Sequence, residues 1–441
     1  MTLMTAKTPF IPFCDGVSRR SVLRIGALAG LGGSLDLGTL LQAKSTAKTH
    51  KSAIIIYLSG GLSHQDTFDP KPKAPVEIRG EFKSLSTSVP GVAFTEKVPL
   101  LARNMDKMAL IRSLVGYRDE HSSFHNLTGY PMDQTRREGK PHIGSVTSRM
   151  LGPVDPVIPA FIDLFPTMQH RPYNSPGPGA LGRAAQGVRV DGQDIELMKL
   201  KNLTKLELGD RNTLRQRLDL ISAGMDRVGM ESQYRRALDV LNTSEMVAAL
   251  DVELEPQAVR ERYGRGSPKH LGDGAPLWND QLLMARRLVE AGVRLVTVAY
   301  GFWDTHGNNF GHLKQHLPTL DQGISALVED IHSRGMDKDC LVVVCGEFGR
   351  TPKINKDGGR DHWARVNFSL LSGGGLNKGI VLGATDSSAG EVRDNPIHHH
   401  DLLATIYHSL GINAHDMIKD VGDRPSPILP STAKPIEKLL A

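Results

Sequence analysis

The sequence is short of the residues that would make a disulfide scaffold, a zinc ribbon or a base-stacking surface. Only three cysteines occur in 441 residues, which excludes a cross-linked framework and any cysteine-rich metal site. Phe, Trp and Tyr together make up 5%, too few for a surface that stacks single-stranded bases. Charge of either sign is nearly balanced, with 53 Lys and Arg against 48 Asp and Glu, a net +5. There is no repeat at solenoid spacing and no low-complexity tail. The Gly373-Gly374-Gly375 run with Lys378 lacks the GK[ST] ending of a phosphate-binding loop. What is present is apolar residue at 39%, enough for a packed core, in a chain long enough for one large α/β domain or two ordinary ones.

The first fifty residues read as an export address. Ser18-Arg19-Arg20-Ser21-Val22-Leu23-Arg24 fits the twin-arginine pattern, and an apolar stretch from Ile25 to Leu35 follows it. That stretch is too short to span a bilayer, which needs ~20 apolar residues. A signal over 1–47 is therefore expected, with export to the periplasm or beyond, the twin-arginine machinery as a partner and no stable membrane span. Residues 1–43 hold four basic residues against two acidic ones, so cleavage removes two of the five net positive charges. With no basic cluster left, nucleic acid drops out as a partner.

Downstream, continuous β-branched and apolar runs predict strands buried on both faces, as in a parallel sheet. These are Ala53–Leu58, Met108–Ile111, Val293–Ala299, Leu341–Val344 and Val366–Leu371. Helical patterns lie between them, notably Leu277–Ala291 and Leu317–Arg334. The expected architecture is α/β, a mostly parallel central sheet with helices on both faces. The irregular stretch 152–276 reads as a helical or loop insertion, or a cap, on a domain spanning 48–441. Within it Pro172–Gly182 reads as a loop and Leu200–Leu250 as charged amphipathic helices.

The polar residues collect just past the strands. Ser63-His64-Gln65-Asp66 through Asp69 follows the first, and Asp119-Glu120-His121-Ser122-Ser123-Phe124-His125 the second. Trp303-Asp304-Thr305-His306, Gly346-Glu347-Phe348-Gly349-Arg350 and Arg360-Asp361-His362 complete the set. On parallel strands these groups converge on one edge, where ligands bind. Mixed imidazole and carboxylate donors suit zinc, manganese or iron, with calcium or magnesium favoured only if oxygens dominate. By contrast His398-His399-His400 directly precedes a helical run, Asp401–Leu410, and reads as its N-terminus. Cys340 and Cys345 flank one strand, ~16 Å apart at strand rise, too far to pair.

At these clusters the chain resembles a bacterial domain-of-unknown-function family of Tat-exported, sulfatase-like proteins in the alkaline phosphatase superfamily. Ser59-Gly60-Gly61-x-Ser63-His64-x-Asp66, Trp303-Asp304-Thr305-His306-Gly307, Gly346-Glu347-Phe348-Gly349-Arg350 and Gly359-Arg360-Asp361-His362-Trp363 carry the likeness. The resemblance implies an alkaline phosphatase-like sandwich that hydrolyses or transfers phosphate and sulfate esters. It implies Asp66, Asp304, His306 and His362 as metal ligands, with Glu347 where the superfamily shows Asp-His. Phe348 cannot coordinate, so one metal or a rearranged site replaces a two-metal centre. No Cys-x-Pro/Ala-x-Arg motif occurs, which excludes a cysteine-type formylglycine sulfatase. Ser122 and Ser123 are the candidate nucleophiles beside water, and Arg350 the group that steadies charge on the transferred ester.

Two functions follow. The first is an exported metal-dependent hydrolase of phosphate or sulfate esters, acting on an anionic ester such as a sulfated or phosphorylated polymer. The second is a non-catalytic relative that binds an anionic envelope polymer or a partner protein.

Overall fold

The computed structural model describes residues 50–156, 158–190 and 244–440. The expected signal at 1–47 lies outside these residues, as does the Leu200–Leu250 reading up to residue 243; its last seven residues form a helix, Ser244–Leu250.

Nine strands build the central sheet. They are β1 (Ser52–Ser59), β2 (Met108–Val115), β3 (Phe161–Leu164), β4 (Val188–Arg189), β5 (Leu295–Phe302), β6 (Cys340–Gly346), β7 (Asn367–Gly373), β8 (Ile380–Leu382) and β9 (Ile397–His398). Their order is β8-β2-β7-β6-β1-β5-β3-β4, and β9 pairs β2 beyond the end of β8. β1 lies parallel to β5 and β6, β3 parallel to β4 and β5, and β8 and β9 parallel to β2. β7 alone runs the other way, antiparallel to both β2 and β6. The fold is therefore α/β with a mostly parallel sheet.

The apolar runs are continuous because both faces are covered. Along β1, Ile54, Ile56 and Leu58 enter one core while Ala53, Ile55 and Tyr57 enter the other. Five helices matter here: α1 (Phe124–Thr128), α2 (Ile143–Leu151), α3 (Asn279–Glu290), α4 (Asn309–Ser333) and α5 (His399–Leu410). Leu282 and Leu283 of α3 and Leu320 and Ile324 of α4 join the first core. Ile143 and Val146 of α2 and Leu402 and Ile406 of α5 join the second. Each fully buried aliphatic side chain contributes roughly 1.5–3 kcal/mol, so the sheet is fixed from both sides.

The structure departs from the sequence reading in two places. Between 152 and 276 the chain does more than insert: it adds β3 and β4 to the edge of the sheet beside β5. These strands have four and two residues, too short to register as apolar runs, and Asp163 interrupts the first. Helix α4 starts at Asn309, eight residues before the expected Leu317, and passes through Pro318. A proline favours a first turn, which is why the pattern suggests a later start. Cys340 and Cys345 are free and buried, with both thiols pushed up to about 12 by desolvation.

The single reversed strand matters for the site. The loops after β1, β2, β5 and β6 leave the sheet at one edge, and β7 begins at that edge. The segment before β7, which carries His362, is thereby brought to the same place. Among the described residues no helix is long and apolar enough to cross a membrane.

Candidate metal centre

Close backbone packing holds the loops together. A Cβ on Gly60, whose φ is +94°, would lie 2.5 Å from the Asp304 nitrogen. A Cβ on Gly359 would lie 2.0 Å from the His306 carbonyl. Only glycine allows the loop after β1 to lie on the loop after β5, and the segment before β7 to lie on the same loop.

Four side chains converge there. His121, Asp304, His306 and His362 each offer a ligand atom, all within 4.8 Å of one another. Asp304 sits in the middle: His121 Nε2 lies 3.3 Å from its Oδ2, and His306 Nε2 and His362 Nε2 lie 3.1 and 3.3 Å from its Oδ1. Each imidazole turns its other nitrogen to a carboxylate. His121 Nδ1 is 2.6 Å from Glu347, His306 Nδ1 2.7 Å from Asp361, and His362 Nδ1 2.9 Å from Asp119. Carboxylates only accept, so each Nδ1 carries the proton, and Nε2 offers its lone pair to a cation once the ring is neutral.

The consequence is electrostatic. His306 Nε2 and His362 Nε2 stand 3.0 Å apart beside the Asp304 carboxylate. With both rings neutral, a cation there would be coordinated by these nitrogens and the carboxylate together. The three imidazole nitrogens and one carboxylate oxygen fit a tetrahedral zinc set, whose ligand atoms sit about 2.0–2.1 Å from the ion, and manganese accepts the same donors. Carboxylates behind the histidines are the usual means of fixing ligand tautomer and orientation.

The charges respond to this packing. Burial works against a charged His121, but the bonds to Asp304 and Glu347 outweigh it and lift the imidazole to about 9. Burial would raise Asp304, yet His121, His362 and Arg350 hold its carboxyl far below the usual range. The His306 bond likewise lowers Asp361. Tyr173 roofs the centre, its hydroxyl 2.9 Å from His121 Nδ1. Burial and the nearby Glu347 and Asp304 charges keep that phenol protonated.

Of the sequence candidates, Asp304, His306 and His362 come together. Glu347 lies one step behind, fully buried, and collects His121 Nδ1, the Tyr57 hydroxyl, Gly60 N at 3.0 Å and Ser122 N at 2.9 Å. Asp66 points elsewhere: Arg360 grips both of its oxygens at 2.6 and 2.8 Å, and Ser63 and Asn309 donate to it as well. Arg350 is buried, donating to Gly61, Gly60, Arg360 and Trp303 carbonyls and, at 2.5 Å, to Asp304. It ties three loops to the central carboxylate. Ser123 Oγ donates to the Asn174 carbonyl at 2.8 Å, and Ser122 Oγ accepts from Phe124 N at the start of α1. Both serines are fully buried. Phe348 packs against His362, the rings tilted with centroids 4.4 Å apart, and brings no ligand atom to the centre.

The sequence places His121 beside the candidate serines, open as a ligand or as a support for one, and gives no role to Asp119 or Asp361. The signal was present, since each carboxylate is adjacent or nearly so to a histidine. The pairing is crossed, however, with Asp119 serving His362 and Asp361 serving His306, which no local spacing reveals.

Comparison with known proteins places the chain. A family model described as protein of unknown function (DUF1501) matches residues 50–440. The chain belongs to this family. No curated protein matches the sequence. Among solved structures it is similar to the PsFucS1 sulfatase from Pseudoalteromonas sp., at 12% identity and TM-score 0.38, covering 92% of this chain and 73% of that one. It is similar to the phosphonate monoester hydrolase SpPMH from Silicibacter pomeroyi, at 11% identity and TM-score 0.35, covering 88% and 76%. A third is the C-terminal periplasmic domain of EcEptC from Escherichia coli in complex with Zn, at 10% identity and TM-score 0.28, covering 74% of each chain. With superpositions this loose, the chemistry of this DUF1501 chain is read from its own residues.

Proposed function

We propose that this protein is a metal-dependent hydrolase of phosphate or sulfate esters. The observation that carries the reading is the set of three imidazole Nε2 atoms around Asp304, each backed by a carboxylate on Nδ1. Zinc or manganese is the expected ion, held by His121, Asp304, His306 and His362, and once bound it polarises an ester oxygen and acidifies water. Glu347 and Asp119 keep His121 and His362 aimed, while Arg350 steadies Asp304 and excludes water from its underside. Because the hydroxyls of Ser122 and Ser123 are buried and already bonded, to Phe124 N and to the Asn174 carbonyl, water is the better attacking group.

The signal-like N-terminus supports export by the twin-arginine machinery to the periplasm as a folded, metal-loaded chain. Replacing Arg19 and Arg20 with lysine should then leave the protein in the cytoplasm, as fractionation would show.

The central test is metal content followed by turnover. Purified protein should carry about one equivalent of zinc or manganese, lost in Asp304→Ala and His362→Ala, and should cleave aryl phosphates or aryl sulfates. Metal-free protein that stays inactive with added Zn, Mn, Ca and Mg would sink the hydrolase. The buried serines and Phe348 favour one rival, a metal-bearing relative that binds an anionic polymer without cleaving it. Stoichiometric metal without turnover of any ester would select that rival.

A further inference from the structure

Asp66 and Arg360 form a buried ion pair at the same edge of the sheet, the carboxylate residue 1% exposed and the arginine 0%. Arg360 Nε lies 2.6 Å from Asp66 Oδ2 and Nη2 lies 2.8 Å from Oδ1, a two-pronged contact. Ser63 Oγ and Asn309 Nδ2 also donate to Oδ2, at 2.6 and 2.9 Å. The other guanidinium hydrogens go to the carbonyls of Ile78 at 2.7 Å, Thr351 at 3.1 Å and Pro352. Every N–H of the Arg360 side chain thus has an acceptor. Asp66, a metal ligand by family resemblance, is instead neutralised by a guanidinium.

These partners come from the segments that carry three of the four candidate ligands. Asp66 and Ile78 follow β1, Asn309 opens α4 after β5, Thr351 and Pro352 follow β6, and Arg360 precedes β7. The backbone completes the link. Arg360 N donates to the Thr305 carbonyl at 2.9 Å, and Thr305 Oγ1 donates to Asn309 Oδ1 at 2.6 Å. Arg350 Nη1 donates to the Arg360 carbonyl at 2.9 Å while its Nη2 reaches Asp304. Thr305 stands between Asp304 and His306, and Arg360 is followed by Asp361 and His362. One guanidinium therefore sets the separation of two ligand-bearing segments, although it bonds to no ligand itself.

A buried ion pair adds little net stability, because desolvation offsets the attraction. What the planar fork adds is geometry, since it fits one placement of the carboxylate and the carbonyls around it. We propose that Arg360, clamped by Asp66, is a positioning residue that holds Asp304, His306 and His362 at the spacing a metal ion requires. The proposal rests on the metal-binding part of the functional reading and not on turnover.

The test compares the full-length protein with three variants. Arg360→Lys keeps the charge but loses the fork. Asp66→Asn combined with Arg360→Gln removes both charges, so that neither is left buried alone. Arg286→Lys is the control. Arg286 is equally buried and meets Glu255, Glu290 and Asp330. Asp330 lies 21 residues along α4 from Asn309, about 30 Å at the rise of a helix.

Zinc affinity, read against a competing chelator, should fall about tenfold or more in the first two variants and stay unchanged in the control. The visible bands of the cobalt(II)-loaded chain should weaken in the same two, because a loosened ligand set departs from tetrahedral geometry. Arg286→Lys should lower only the urea midpoint. Unchanged zinc affinity in the first two variants, or an equal loss in the control, overturns the proposal. Failure of both pair variants to fold overturns it as well, since the pair would then determine the fold. If the unaltered chain takes up no zinc, the metal reading fails instead, and the imidazole NMR signals of metal-free protein judge the pair. Those of His306 and His362 should shift in Arg360→Lys and hold in Arg286→Lys; shifts in both variants, or in neither, overturn the proposal.

Discussion

Two groups of histidines lie at this edge of the molecule, and they have opposite fates. In the first, His121, His306 and His362 turn Nδ1 to carboxylates and Nε2 to Asp304. In the second, His399 and His400 turn Nε2 to one carbonyl, that of Gly129, at 3.1 and 2.6 Å, and His398 Nδ1 accepts from the backbone of His400. The second group has the greater density of imidazoles in sequence and its members pack ring to ring, with centroids 4.3–4.5 Å apart. Yet its polar atoms serve the entry to α5, where His398 and Asp401 form a reciprocal cap. What separates a ligand set from a capping set is the group behind the ring. A carboxylate fixes the tautomer and adds the negative charge that a cation needs, whereas a backbone carbonyl only satisfies a donor.

The sharpest way to break that contrast is to remove the central carboxylate. Asp304→Ala should abolish stoichiometric metal binding, measured by elemental analysis, while replacement of all three histidines of the second group should leave the metal content unchanged. Metal retained in the first variant, or lost in the second, would reverse the assignment of the two clusters.

Acid should also distinguish them. Burial, reinforced by His400, His398 and His125, pushes His399 down to about 2. Burial with Arg118 takes His125 to about 4, and burial alone takes His142 to about 3. Their folded pKa values lie below the unfolded value near 6.5, so the native state binds fewer protons than the unfolded chain. Their contribution to stability is present above pH 6.5 and declines as pH falls, by about 2 kcal/mol for each such ring at pH 5. Asp321 works the other way: burial raises it to about 6, so its proton favours the native state as pH falls through that value. The net expectation is a lower urea midpoint at pH 5 than at pH 7 in metal-free protein. A midpoint that is unchanged or higher would show that these rings are not held neutral.

Much of this was legible in the sequence, for identifiable reasons. β1, β5 and β6 announced themselves because a strand covered on both faces must be apolar throughout; Asp304, His306 and His362 stood in polar clusters near such strands, and the family resemblance singled them out. β3 was hidden by its length and by Asp163, whose buried carboxylate accepts from Thr297 at 2.7 Å and from Ser175 and the Phe165 backbone. The reversal of β7 was hidden too, since the same apolar run serves either direction. Glu347 and Asp66 looked alike as carboxylates after strands. One collects His121, while the other faces Arg360, and that difference depends on residues 226 and 294 positions away.

A subtler test of the first cluster is Glu347→Gln. The amide keeps the shape but loses the charge that holds His121 Nδ1–H, and it inserts donors among groups that already donate, Gly60 N and Ser122 N. Metal affinity should fall 10–100-fold, the usual cost of losing a carboxylate behind a ligand histidine. Titration against a competing chelator would read it. An unchanged affinity would mean that His121 is oriented by Tyr173 instead.

The smallest expected effect belongs to the second cluster. His398 is an unusual N-cap: its Nδ1 accepts from His400 N at 3.2 Å, and Asp401 Oδ2 accepts from His398 N at 3.3 Å. Removing the side chain in His398→Ala leaves one orphan N–H at the start of α5, for which losses of about 1 kcal/mol are typical. His398→Asn restores a side-chain acceptor at the same position and should recover most of that loss, because a capping role needs a lone pair and not an imidazole. A metal role would give the reverse pattern, with asparagine no better than alanine and the melting temperature of each variant insensitive to the difference between them. Paired urea titrations of the two variants therefore decide whether this histidine-rich turn is architecture.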